Sequence, residues 1–313
     1  MKRFLCLALV LALLPLGGLA ASKKSAKAKN VDNLPETLTM TAGKFLSFKL
    51  TYTGEWENSA PEVVHVEKDV TSNEKRVRIT AYAPGEAVLK FKTTKAKTPK
   101  TAEIRVTVEP EAAYDGVPEK IRKAIDTGIA EWQAAGGKAF SQAPKNNPYT
   151  KWWGYACGWC GAFCGYCLAS ADVPMEPSDT YKKVKPTKDG APHSIREAAV
   201  QKLDTGFGNM QRTTRIPRPG YLVIYGQKGG YAFKHVGLVT DVLDRGDGSY
   251  VICTVEGNLG NRIKRISYVY TLTAADNQNM SVLPKAEQTD AKTFQYTLQQ
   301  KNWYITEFCQ TWY

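Results

Sequence analysis

Residues 234–258 read KHVGLVTDVLDRGDGSYVICTVEGN, two runs of alternating apolar residues joined by the turn 244–248. A glycine- and aspartate-rich turn between two such runs predicts a β-hairpin. With the turn centred near Gly246, His235 and Glu256 lie eleven and ten residues from it. The hairpin therefore sets them nearly opposite one another, within one register step. Glu256 or Asn258 then accepts the second N–H of the imidazole; the alternative is a surface histidine beside a loop carboxylate.

A cysteine-rich segment upstream of the hairpin supplies a nucleophile for that histidine. Residues 158–163 read GWCGAF and predict a loop that enters a helix, with Cys160 in the first turn. The helix dipole and the free N–H groups of a first turn lower the pKa of a thiol. Cys164 and Cys167 follow further down the same side of that helix, where they are deeper. A thiolate, a histidine base and a group that orients the imidazole are the parts of a cysteine hydrolase.

The same cysteines allow two other interpretations. Cys157, Cys160, Cys164 and Cys167 form two CxxC pairs with three residues between them. Structural zinc sites usually separate their pairs by a dozen residues or more, so a metal site is the weaker alternative. A disulfide among Cys157, Cys164 and Cys167 is the stronger one. Cys253 either remains a buried thiol or pairs with Cys309.

The amino terminus predicts export. Residues 1–21 combine Lys2 and Arg3, an apolar run and a small-residue end, the pattern of a secretory signal peptide. Residues 22–30 form a polar, lysine-rich leader that we expect to be flexible. No other apolar run is long enough to span a bilayer. We therefore expect a secreted or cell-wall-associated, extracellular protein without a transmembrane segment once the signal is removed.

The amino-acid composition limits the kind of protein that this chain can be. The 313 residues are 43% hydrophobic and carry a net charge of +12, which favours two or three globular domains over a disordered chain. The positive net charge either attracts the protein to an anionic cell envelope or serves solubility alone, and the sequence does not favour one of these over the other. We expect no nucleic-acid partner.

The chain divides at about residue 109. Residues 31–109 alternate in about six short runs, which predicts a β-sandwich. Their TAGK turn, AYAPGEAVLKF and closing IRVTVEP resemble a bacterial immunoglobulin-like domain, in which His65 is a structural residue. Residues 110–313 carry helical periodicity first and strands afterwards, which predicts an α+β domain. Within it, Ser194 and Glu197 have the spacing of a capping box for a helix that ends near Leu203.

Four segments within residues 146–270 resemble the cysteine, histidine-dependent amidohydrolase/peptidase (CHAP) family. They are WCGAFCGYCLASADVP (159–174), RPGYLVIY (218–225), KHVGLVTDV (234–242) and VEGN (255–258). The resemblance implies a papain-like α+β fold and cleavage of bacterial peptidoglycan. It also implies that Cys160 is the nucleophile, that His235 is the general base, that Glu256 orients the imidazole and that Asn258 supports the ring or the substrate.

The expected function is that of an exported peptidoglycan hydrolase that cuts the N-acetylmuramoyl–L-alanine amide or a peptide link. It needs no metal and no organic cofactor. Tyr155 and Trp159 either line a substrate groove or pack under the helix, and His193 is a reserve base. The aromatic tail within residues 281–313 is expected to be a core strand rather than a lid or a binding edge. The alternatives are a wall-binding protein with a degenerate hydrolase domain, and a hydrolase of other proteins or small amides.

Overall fold

The computed structural model describes residues 34–68, 76–94, 98–113, 115–187, 189–230, 232–275, 278–284 and 302–313. The predicted signal peptide (1–21) and leader (22–30) lie outside the described residues. Among the helices that are described, none combines the length and the apolar character needed to cross a membrane.

The first part of the chain forms two sheets that share one apolar core. One sheet has the strand order β1-β7-β6-β3, with β1 parallel to β7, and the other has the order β2-β5-β4. Strict alternation explains the packing, because every second side chain of β7 is buried in the core. The strands are β1 (Thr37–Thr41), β2 (Phe45–Lys49), β3 (Gly54–Asn58), β4 (Val64–Lys68), β5 (Arg76–Ala81), β6 (Gly85–Thr93) and β7 (Thr101–Glu109).

The second part contains four helices in its described residues and a sheet of seven strands in the order β10-β16-β11-β12-β13-β14-β15. The helices are α1 (Glu119–Ala135), α2 (Pro148–Trp153), α3 (Cys160–Ser170) and α4 (Val200–Asn209). The strands are β8 (Met175–Glu176), β9 (Ser194–Ile195), β10 (Thr213–Thr214), β11 (Leu222–Gln227), β12 (His235–Asp244), β13 (Ser249–Glu256), β14 (Lys264–Thr271), β15 (Met280–Val282) and β16 (Trp303–Cys309).

The predicted fold class, a papain-like α+β fold, is wrong. In its described residues the protein is mostly β, with 37% of them in strands against 19% in helices, and the strands form several sheets. The prediction missed four strands of the second part, β8, β9, β10 and β15. Three of those are only two residues long, too short for an alternating pattern to reveal.

The aromatic tail supplies an interior strand of the large sheet. β16 lies between β10 and β11 and pairs antiparallel with both. All seven of its residues are buried, including Trp303 and Phe308. The expectation that the tail joins the core is confirmed for the described residues 302–313.

The two parts are joined through the turn that follows β1. Gly43 has a φ of 82°, a left-handed conformation that suits glycine, and its carbonyl accepts a 2.6 Å hydrogen bond from the Arg215 backbone. The Lys44 ammonium donates to the Thr213 carbonyl at 2.9 Å and to the Gln310 side chain. These polar contacts dock the sandwich on the β10–β16 side of the large sheet.

Candidate active site

Cys160, His235 and Glu256 form one hydrogen-bonded line at the junction of α3 with the large sheet. Cys160 is the first residue of α3, His235 is the first residue of β12 and Glu256 is the last residue of β13. His235 Nε2 lies 3.0 Å from Glu256 Oε2, and the imidazole also hydrogen-bonds with the Cys160 side chain. Since Nε2 faces the carboxylate, Nδ1 is the nitrogen that faces the sulfur. All three side chains are at least nine-tenths buried.

The electrostatics of this line favour a thiolate and an imidazolium. Burial by itself raises the pKa of Cys160, but the hydrogen bond and charge of His235 and the backbone N–H groups of Val236 and Gly161 lower it overall. Burial by itself lowers the pKa of His235, but Cys160 and Glu256 raise it overall. Both shifts favour transfer of the thiol proton to the histidine.

Three residues that the sequence analysis did not single out hold Glu256 in place. The Tyr225 hydroxyl donates to Glu256 Oε1 at 2.6 Å, and the Thr254 hydroxyl donates to the same oxygen at 2.7 Å. The Tyr268 hydroxyl lies 2.9 Å from that of Tyr225. Both tyrosines stand inside runs that read as ordinary apolar strands, so only their cross-strand neighbourhood reveals this role.

Gly237 makes room for the carboxylate. The strand register pairs Leu238 with Val255, which sets Gly237 beside Glu256. A Cβ on Gly237 would lie 2.8 Å from Glu256 Cγ, closer than real side chains approach. The absent side chain lets Glu256 cross β12 at this point and reach His235, two residues away on the same face.

An open cavity of about 740 Å³ gives access to the nucleophile. One wall consists of Cys157, Gly158 and Cys160 with the segment 197–200, which precedes and begins α4. The opposite wall belongs to the sheet and includes His235 and Trp303. The Trp303 ring packs 5.2 Å from the imidazole, centroid to centroid, so the tail strand shapes the site as well as the core. The other lining residues are Tyr155, Lys202, Gln227, Lys234, Asn258, Leu259 and Gly260.

The two aromatic residues expected to bind substrate, Tyr155 and Trp159, lie in different environments. Tyr155 lines the cavity and is 60% exposed. Trp159 is fully buried, stacks on Tyr149 at a ring distance of 5.3 Å and does not reach the cavity, so its assignment as a substrate-binding residue is wrong. The chain enters α3 at Trp159, and the indole turns inward beneath the loop at Gly257, where an added Cβ would meet it at 2.9 Å.

Asn258 lies at the mouth of the cavity rather than behind the histidine. Its backbone has a φ of 61°, a left-handed conformation that asparagine tolerates. A Cβ added to Gly158 would lie 3.8 Å from the Asn258 amide nitrogen, which places this amide across the cleft from the loop before Cys160. The carboxylate of Glu256 holds Nε2 of the imidazole, so Asn258 is available to substrate.

The remaining cysteines differ from Cys160. All six cysteines among the described residues are free thiols, so the disulfides considered from the sequence are not formed. Burial raises the pKa of Cys164 and Cys167, which lie deeper along α3, and of Cys157, Cys253 and Cys309. No cluster of three or more potential metal ligands occurs in the described part of the chain.

The other two histidines lie outside the cavity. His193 Nε2 lies 3.4 Å from Glu176 Oε1, and burial lowers the pKa of His193. His65 belongs to β4 of the sandwich and stacks on Tyr82. Neither residue lies in the wall that contains Cys160.

No family model and no curated protein matches the sequence. Solved structures with local similarity include the titin M10–obscurin-like 1 immunoglobulin complex, at 18% identity over 25% of this chain and 89% of that chain, with a TM-score of 0.19. The PKD domain of human KIAA0319 has 14% identity over 31% and 99%, with a TM-score of 0.18. A putative α-galactosidase from Bacteroides fragilis has 10% identity over 60% and 51%, with a TM-score of 0.22. Scores this low do not establish a shared fold.

Proposed function

We propose that this protein is an exported, cysteine-dependent hydrolase that cuts an amide bond of bacterial peptidoglycan. The observation that carries the proposal is the Cys160–His235–Glu256 line, whose sulfur opens onto a cavity. A buried thiol next to an imidazole, held in turn by a carboxylate, is the arrangement that activates a cysteine nucleophile. The alternative of a degenerate binding domain provides no reason for this geometry to be intact.

In the proposed mechanism the Cys160 thiolate attacks the carbonyl carbon of the scissile amide. The backbone N–H of Cys160, in the first turn of α3, has no partner within the helix and stabilises the developing oxyanion. His235 then gives its proton to the leaving amine, and Glu256 keeps the imidazole oriented while its charge changes. Water, deprotonated by His235, releases the acyl group from Cys160. Every proton transfer uses a side chain of this line, so the mechanism needs no metal.

The proposal of peptidoglycan as substrate rests on three supports. The first is the resemblance of residues 146–270 to the CHAP family in the order and spacing of their motifs. The second is the predicted signal peptide. The third is the cavity itself, because Lys202 and Lys234 offer positive charge to the carboxylates of wall peptides.

The test is mass spectrometry of fragments that the mature protein releases from purified peptidoglycan. We expect wild type to release fragments whose new ends identify the cleaved bond, and Cys160→Ala to be slower by at least roughly 1,000-fold. Cys253→Ala is the matched control, since Cys253 lies on β13 outside the cavity, and should behave as wild type. Fragments from Cys160→Ala at the wild-type rate, or none from wild type on several wall types, would refute the proposal.

A further inference from the structure

A second carboxylate lies in the same cavity and is not used by the mechanism. Glu197 lines the cavity although only 4% of its surface is exposed. Its Oε1 accepts hydrogen bonds from the backbone N–H groups of Ala198 and Ala199, each at 2.9 Å. Its Oε2 has no hydrogen bond or ion pair with any of the residues described. Oε2 is open to the cavity rather than sealed in the core, so a cationic group of a ligand can reach it there.

Glu197 is close to the nucleophile. The segment after it presses on the first turn of α3, because a Cβ added to Gly161 would lie 2.5 Å from the Ala198 carbonyl oxygen. Its negative charge also contributes to the raised pKa of Cys157, after burial and the charge of Cys160. A group bound to Glu197 therefore lies beside the reacting bond rather than at a distant part of the cleft.

The neighbouring cations do not neutralise this carboxylate. Arg196 points away and donates to the backbone carbonyls of Trp152 and Trp153, both at 3.1 Å, while its guanidinium lies over their rings. Lys202 and Lys234 line the cavity, but neither forms an ion pair with Glu197 in the described structure. The cavity thus combines one unpaired anion near the nucleophile with two cations.

We infer that Glu197 is a specificity residue that binds a primary ammonium group of the substrate next to the scissile amide. This inference rests on the proposed function and narrows its substrate class to wall peptides with a free amino group. Lys202 and Lys234 bind carboxylates of the same peptide. Three N–H donors of an ammonium match a carboxylate oxygen that has no other partner, and partial burial strengthens the pair.

The two backbone hydrogen bonds give Glu197 a structural role as well, since they satisfy N–H groups just before α4. Glu197→Gln separates the two roles. The amide oxygen still accepts from Ala198 and Ala199, whereas the negative charge is lost. Glu176→Gln is the matched control, because Glu176 lies on the neighbouring short strand β8, pairs with His193 and does not line the cavity.

The experiment compares kcat/KM on muropeptides with a free amino group and on the same muropeptides after acetylation by acetic anhydride. We expect wild type and Glu176→Gln to prefer the free amine by roughly 10- to 100-fold, the range for one hydrogen bond to a charged group. Glu197→Gln should bring the two substrates within about threefold of each other, mainly by slower cleavage of the free amine. Should Glu197→Gln fail to fold, a wild-type enzyme that cuts the free and the acetylated muropeptides equally well still refutes the inference.

The outcomes separate this inference from the proposed function. If wild type cuts free and acetylated muropeptides equally well, the inference is wrong and the hydrolase assignment stands. If Glu197→Gln keeps the full preference for the free amine, another residue binds the ammonium and the inference is again wrong. If wild type cuts neither substrate, the proposed function itself fails.

Discussion

Replacing Glu256 by glutamine tests the orienting role of this carboxylate most directly. Glu256 is fully buried and accepts three hydrogen bonds. Two of them, from Tyr225 at 2.6 Å and Thr254 at 2.7 Å, converge on Oε1, and the third joins Oε2 to His235 Nε2 at 3.0 Å. A glutamine accepts hydrogen bonds from both hydroxyls only with its oxygen in the Oε1 position. Its NH₂ group then faces His235 Nε2, which must become an acceptor.

The expected cost follows from the tautomer. When Nε2 accepts, the ring proton sits on Nδ1, the nitrogen that faces Cys160, and the imidazole cannot remove the proton of the thiol. A wrong tautomer of this kind costs on the order of 10⁴ in kcat in serine proteases. The hydroxyls of Tyr225 and Thr254 can also rotate and accept from the amide, which permits the productive tautomer in part. We therefore expect a loss of roughly 10²- to 10⁴-fold.

The assay is kcat for release of peptidoglycan fragments, together with the rate at which iodoacetamide alkylates Cys160 between pH 5 and 9. In Glu256→Gln, kcat should fall and the alkylation midpoint should move to higher pH, because the imidazolium loses its carboxylate partner. Thermal unfolding provides the check on folding, since the lost charge-assisted bond costs about 1–3 kcal/mol of stability.

The control is Tyr225→Phe. It removes one hydrogen bond to Glu256 but leaves the carboxylate and its bond to His235, so we expect at most about a tenfold loss of kcat. If Glu256→Gln stays within tenfold of wild type and alkylates with an unchanged pH profile, then Glu256 does not set the tautomer of His235 and the reasoning is refuted.

Three further predictions follow from individual contacts. At pH 7, iodoacetamide should label Cys160 at least roughly tenfold faster than Cys157, because the pKa of Cys160 is lowered and that of Cys157 is raised; equal labelling by peptide mass spectrometry would contradict this. Gly237→Ala should reduce kcat by at least about tenfold while the protein stays folded, because the new Cβ displaces the Glu256 side chain. An unchanged kcat would contradict this and show that the backbone of β12 shifts while Glu256 keeps its position. Burial lowers the pKa of Lys44 from 10.5 to about 8. Between these two pH values the unfolded chain binds more protons at Lys44 than the folded protein does, so this group makes the free energy of unfolding rise with pH. Lys44→Met should lack the contribution of Lys44 to this rise, which the urea midpoint measured across the same pH range would show.

The hairpin pattern within residues 234–258 shows how much of the site local sequence can predict. It placed His235 and Glu256 nearly opposite each other, and the structure joins them by a hydrogen bond. The register differs in detail, since an irregularity between Val239 and Asp241 sets Glu256 beside Gly237. An extra residue in one strand leaves no periodic trace in the sequence, so turn counting is accurate only to about one pair.

The segment that begins at Ser194 shows where a local pattern misleads. The spacing of Ser194 and Glu197 predicted the start of a helix, but Ser194 belongs to β9 and α4 begins at Val200. Glu197 does bond to backbone N–H groups, those of Ala198 and Ala199. The backbone of Ser194 pairs with β8 as part of β9, so it cannot start a helix. Pairing with a distant strand is therefore stronger here than the local four-residue motif.

Local patterns alone therefore identify the residues of the candidate site that depend on near neighbours: a cysteine at a helix start and a histidine and glutamate joined by one short turn. Packing between distant segments decides the rest. The tail strand β16 brings Trp303 against His235 from 68 residues further along the chain, and Tyr225, Tyr268 and Glu197 gain their roles only when separate strands and loops meet. These contacts depend on strand order and register, which the neighbouring sequence does not encode. The strands that form by such long-range pairing also account for the high β content of the described residues.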